Sequence, residues 1–136
     1  MSSFDQPQSS DDAAQRQRQQ AEFEIQFFRR VLTRYPQHLE VLRQQAQLLT
    51  STGRRAEGLA CDRRLASALP NDPEVRYHLA CSLAAVGKAD EAVAALLEAV
   101  DLGYRDFDHL ESDPDLESLH EHPQFQALLR GHGLQS

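Results

Sequence analysis

The chain has no tryptophan, one methionine and only 7% aromatic residues in 136, so any core must be built mainly from leucine, alanine and valine. Two cysteines are too few for a disulfide scaffold, and they do not form a CxxC pair. Reduced thiols in a cytoplasmic protein are therefore expected, with a Cys61 to Cys81 disulfide as the alternative. No apolar run approaches the ~20 residues that cross a bilayer. The first 20 residues have neither a basic start nor an apolar stretch, so no signal peptide is expected. Bases are scarce too: 14 Lys and Arg face 21 Asp and Glu, for a net charge of -7. With no basic block to offset this, neither a general nucleic-acid binder nor an anionic-membrane binder is expected, since both need a cationic footprint.

What is present suffices for one folded domain. Hydrophobic residues make up 40% of the chain and the mean hydropathy is -0.57, which is polar but not the composition of a disordered protein. The acidity is uneven. Residues 1–36 carry five acids and five bases, 37–72 four and five, 73–104 five and two, and 105–136 seven and two.

Residues 1–9 offer no core material after Phe4 and are expected to form a disordered tail. Ser9, Ser10, Asp11 and Asp12 suit a helix start, because short oxygen-bearing side chains cap free N–H groups and carboxylates favour the positive end of the dipole. Nothing interrupts that helix before Tyr35 and Pro36. Ile25, Phe28, Val31, Leu32 and Tyr35 recur three and four apart and define its buried stripe. Four further helices follow over 38–52, 55–69, 73–86 and 90–102, punctuated by Gly53, by Pro70-Asn71-Asp72-Pro73 and by Gly87. The predicted class is all-α.

The chain aligns with itself without gaps at an offset of 34: Gly53 falls on Gly87, Ala46 on Ala80, Leu49 on Leu83, Glu57 on Glu91 and Pro36 on Pro70. Each unit is then two antiparallel helices, too small to bury its apolar faces without neighbours.

These residues resemble the tetratricopeptide repeat family. Residues 73–106 fit best, with Leu79-Ala80, Leu83, Ala92, Leu96 and Ala99 in the family's large and small places. In the unit preceding it, Ala46, Leu49, Gly58 and Pro70 fit, whereas Gln45, Asp62 and Leu65 do not. Residues 10–36 look like an incomplete first unit, with Phe28 and Val31 in the large and small places of its second helix. Gly103, Tyr104, Asp113-Pro114-Asp115-Leu116, Leu119, Pro123, Phe125, Leu128 and Leu129 resemble the closing segment at the end of many bacterial arrays of this family. Such a segment covers the open apolar side of the last pair. The resemblance implies a right-handed superhelical stack: a partial unit at 10–36, units at 37–72 and 73–106, closing helices at 107–131 and a tail at 132–136.

Little in the chain points to catalysis. No phosphate loop, GxSxG elbow, HExxH or dinucleotide fingerprint occurs. His120, Glu121 and His122, with His109 and His132 near in sequence, match no metal-ligand spacing, and the acidic run from Asp106 to Glu121 lacks the calcium-loop pattern. Cys81 with His78 one turn earlier lacks an orienting group and an oxyanion site, so a packing cysteine is the simpler reading. No enzyme activity, cofactor or metal is expected.

The resemblance implies that the first helix of each pair lines a concave groove for a peptide or partner helix. Carried over by position, the lining is Glu40, Arg43, Gln44, Gln47, Thr50 and Ser51, then Glu74, Tyr77, His78, Cys81, Ala84 and Ala85. Tyr77 would serve as an amphipathic anchor and Arg43 as the charged contact. Alternatively, the closing segment or the N-terminal helix fills this groove. Phe23 and Phe27, one turn apart and off the buried stripe, either pack within the chain or form a self-association surface, a homodimer through the N-terminal helix. The expected function is a protein-binding adaptor. A secretion-type chaperone or a regulatory ligand-binding domain of a larger system is the alternative.

Overall fold

A computed structural model describes residues 9–133, with side chains described over 10–131. The described residues are all-helical, with no strand among them. Seven α-helices occur among them: α1 (Ser9–Arg34), α2 (Leu39–Ser51), α3 (Arg55–Ala68), α4 (Pro73–Ala85), α5 (Ala89–Asp101), α6 (Phe107–Ser112) and α7 (Pro123–Gly133). A 3-10 segment, Pro114–Leu119, joins α6 to α7. Helix α1 begins at Ser9, inside the expected N-terminal tail, whose residues 1–8 lie outside the described residues. Helix α7 extends to Gly133, two residues beyond the expected end of the closing helices, and residues 134–136 lie outside the described residues. No helix of the described residues is long and apolar enough to cross a membrane.

The same local devices recur at the offset of the self-alignment. His38, Asp72 and Asp106 cap α2, α4 and α6: the Val41 N–H donates to His38 Nδ1, Glu74 and Val75 N–H donate to Asp72, and the His109 N–H donates to Asp106. The turn from α2 to α3 and the turn from α4 to α5 share their hydrogen bonds. Gly53 N–H donates to the Thr50 carbonyl and Arg54 N–H to that of Leu49, while Gly87 and Lys88 do the same to Ala84 and Leu83. Both glycines have left-handed φ, 85° and 83°, which a residue with a Cβ adopts only at a cost.

Consecutive helices from α1 to α5 pack in chain order, and the 3-10 segment and α7 pack back on α4 and α5. An ion pair between α1 and α3 recurs between α3 and α5. Arg29 of α1 pairs with Glu57 of α3 at 2.5 Å, and Arg63 of α3 pairs with Glu91 of α5 at 3.7 Å. Both members of the second pair lie one repeat spacing after those of the first. The second half of α1 therefore stands to α3 as α3 stands to α5.

The core runs continuously from Ile25 and Leu32 through Leu42, Leu49, Leu65, Val75, Leu83, Val93 and Leu96 to Leu110, Leu116, Leu119 and Phe125. Helix α2 packs tightly on Gly58 of α3, where an added Cβ would collide with Thr50 Oγ1 and lie 3.3 Å from the Ala46 carbonyl oxygen. One expected core residue departs from its stripe. Tyr35 is 56% exposed, because Pro36 bars continuation of α1 and the helix ends at Arg34. Its ring lies under the Arg34 guanidinium, 5.8 Å from the ring centre. Phe28 and Val31 are half-buried.

Candidate functional site

A cavity of about 470 Å³ lies between α2, α4 and the closing segment, with Arg43 and Gln47 on one wall and Tyr77, His78 and Cys81 on the other. The i, i+4 spacing of Arg43 with Gln47, and of Tyr77 with Cys81, puts each pair on one helix face. Thr50, Ser51 and Ala46 complete the α2 side. Asp62 of α3 and Ser82 of α4 also line it, and the closing segment adds His109, Asp113 and Asp115. Of the residues expected to line a groove, Arg43, Gln47, Thr50, Ser51, Tyr77, His78 and Cys81 are thus brought together. Glu40, Gln44 and Glu74 are exposed and do not line the cavity, and Ala84 is buried in the core.

Tyr77 is not the free aromatic anchor that its position suggested. It is 3% exposed, its ring stacks on Tyr104 with centres 4.5 Å apart, and its hydroxyl donates to Asp113 Oδ2 at 2.5 Å. Tyr104 and the closing segment thus cover the Tyr77 ring and hydroxyl. Burial and the neighbouring carboxylate push the Tyr77 phenol far above its ordinary range, so it remains a donor. Burial also pushes Tyr104 up, to about 12.

Asp113 organises this wall. Its Oδ1 accepts the Asp115 N–H at 2.9 Å, capping the 3-10 segment. Its Oδ2 accepts from Tyr77 and, at 3.8 Å, from the Cys81 thiol, with His109 Nε2 3.4 Å away. One carboxylate therefore ties α6, the 3-10 segment and α4 together.

Asp62 is 6% exposed and accepts a hydrogen bond from the Ser82 hydroxyl. Burial raises its pKa from 3.8 to about 6; the Ser82 hydrogen bond and the Arg43 charge oppose the shift without cancelling it. His78 is pushed down, chiefly by burial. The cavity thus sets the Arg43 cation opposite Asp62, Asp113 and Asp115.

Cys81, Asp113 and Asp115 each bring a possible metal-ligand atom within 4.8 Å of the others. Burial and the nearby carboxylates push the Cys81 thiol well above its ordinary range. A cation would therefore have to displace a firmly held proton, and the protonated thiol is a poor nucleophile. Both cysteines are free thiols. The histidines near the C-terminus have structural partners. His122 Nδ1 accepts the Gln124 N–H, so its Nε2 carries the proton offered to Asp90 at 2.8 Å, pinning the start of α7 to α5. His120 stacks on Phe125, and the side chain of His132 lies outside the described residues.

Phe23 and Phe27 are 64% and 52% exposed, on the side of α1 opposite the buried Ile25 and Leu32. The Phe27 ring lies 6.0 Å from that of Phe28, tilted by 54°, and the side chains of Phe23 and Phe27 otherwise face outward.

Asp62, Ser82, His109, Asp113 and Asp115 were not among the residues expected to form the site. Asp62 carried a signal, a carboxylate in an otherwise apolar helical stripe. Asp113 carried none that joins it to Tyr77, 36 residues earlier.

No protein-family model matches the chain. A curated chloroplastic protein of Arabidopsis thaliana is 39% identical over 54 residues, covering 40% of this chain and 16% of the relative's length.

Proposed function

We propose that the chain is a protein-interaction module of the tetratricopeptide type: a right-handed superhelical stack that holds a peptide or partner helix in its concave groove, acts as a cytoplasmic adaptor and catalyses no reaction. The observation that carries this reading is the cavity in which Arg43 and Gln47 of α2 face His78 and Cys81 of α4. These are positions that the resemblance assigns to a groove. Caps and turns that recur at the repeat spacing support the same reading.

The chemistry of the cavity defines the partner. With Arg43 on one wall and Asp113 and Asp115 on the other, a suitable segment presents an acidic group to α2 and a basic or hydrogen-bonding group to the closing segment. Its anchor would enter beside Tyr77 rather than stack on it. Selection from a random peptide display library tests this. Enriched peptides should pair an acidic with a basic residue and lose binding to Arg43→Ala protein with unchanged helicity. Failure to enrich any peptide, or equal binding to the variant, would reject the groove.

A further inference from the structure

We propose that α1 pairs with α1 of a second copy of this chain, antiparallel and about a two-fold axis, through the stripe that carries Phe23 and Phe27. The ion-pair register identifies this stripe as the open edge of the stack. The positions one and two repeat spacings after Phe27 are Cys61 and Ala95, only 8% and 5% exposed, while Phe27 is 52% exposed. The corresponding positions after Phe23 are Glu57 and Glu91, which reach back to the preceding second helix through Arg29 and Arg63. At this edge α1 has no preceding helix among the described residues, and it presents Phe27 where α3 and α5 are buried and Phe23 where they carry glutamates paired to the preceding second helix.

Three observations select a second copy as the occupant. First, α5 is already covered by the 3-10 segment and α7, so a head-to-tail contact is barred and a like-to-like contact at α1 closes the assembly. Second, the first half of α1 projects without support: of residues 10–20, only Ala13 and Ala14 are less than exposed. A short helix that is polar all round is marginal in water without a neighbour. Third, the stripe is self-complementary. It runs Asp12, Arg16, Gln20, Phe23, Phe27 and Arg30, all exposed. If the two 26-residue helices overlap fully, Ser9 of one copy lies opposite Arg34 of the other. Arg16 then meets the ring of Phe27, Gln20 meets Phe23, and Asp12 falls within one residue of Arg30. Cation–π and opposite-charge contacts arise twice each by symmetry.

Light scattering on the full chain, over a micromolar to millimolar series, tests the pairing. Wild type should pass from monomer to dimer, while Phe23→Ser/Phe27→Ser should remain monomeric with its helical content retained. Arg30→Asp should weaken the dimer roughly tenfold, and adding Asp12→Arg should restore it. A wild-type monomer throughout, a dimer that survives the phenylalanine changes, or failure of the double charge reversal to restore pairing would overturn the proposal.

Discussion

The pairs α2–α3 and α4–α5 share their turns but not their cores. Where α4–α5 has Leu79, Ala92 and Leu96, all buried, α2–α3 has Gln45, Gly58 and Asp62, buried as well. The first pair accommodates two polar groups by giving each a partner: Ser82 for Asp62, and the Ile25 carbonyl oxygen for Gln45 Nε2 at 3.2 Å. Gln45 Oε1 is left buried without a hydrogen bond. Shared backbone devices thus set the outline of each pair while their interiors differ, and one of the differing residues, Asp62, reaches the charged cavity.

Exchanging features between the pairs gives graded effects. Leu96→Asp would put a carboxylate where Leu96 is 0% exposed, within the apolar core. A loss above about 4 kcal/mol in urea unfolding, or failure to fold, is expected; a small loss would mean that α5 tolerates what α3 tolerates. Asp62→Asn tests the converse. Its folded-state pKa of about 6 exceeds the ordinary 3.8, so the folded protein holds the proton more tightly. The stability this confers is complete below pH 4 and is lost as pH rises through 6. Wild type should thus lose on the order of 3 kcal/mol from this group between pH 4 and 7. The Asn variant should show a flatter profile in that window, and identical profiles would contradict the assignment.

Gly58→Val places a branched side chain against Thr50 and the Ala46 carbonyl. Thermal unfolding should register a loss of about 1–3 kcal/mol, whereas Ala92→Gly, which opens the equivalent place in α5, should cost about 1 kcal/mol. The smallest effect is expected from Gln45→Leu. It copies Leu79 into α2, removes the unpaired oxygen and forfeits one hydrogen bond, for a net gain of roughly 1 kcal/mol. A loss instead would show that the bond to Ile25 anchors α1.

Helix positions are readable from the sequence because apolar spacing, the capping aspartates and the turn glycines all act within a few residues. Periodicity misplaces Tyr35, since it extends a stripe past the point where Pro36 ends the helix. The α2 and α4 walls of the cavity coincide with positions carried over from the resemblance. The third wall does not, because Asp113 meets Tyr77 and Cys81 only after the chain has passed through α5 and α6. That contact also explains why Tyr77 lines the cavity yet is too buried to serve as an anchor. Phe23 and Phe27 are visible as a pair off the buried stripe, and the paired ion bridges of Arg29 and Arg63 supply the direction in which they face.

The proposed function puts a partner segment in the cavity between α2, α4 and the closing segment. Mapping backbone amide shifts during titration with a library-selected peptide tests it most directly. The largest shifts are expected on Arg43, Gln47, His78, Cys81 and His109, and they should vanish with Arg43→Ala. Shifts centred on α1 or on the outer faces of α3 and α5, with the cavity residues unmoved, would contradict it.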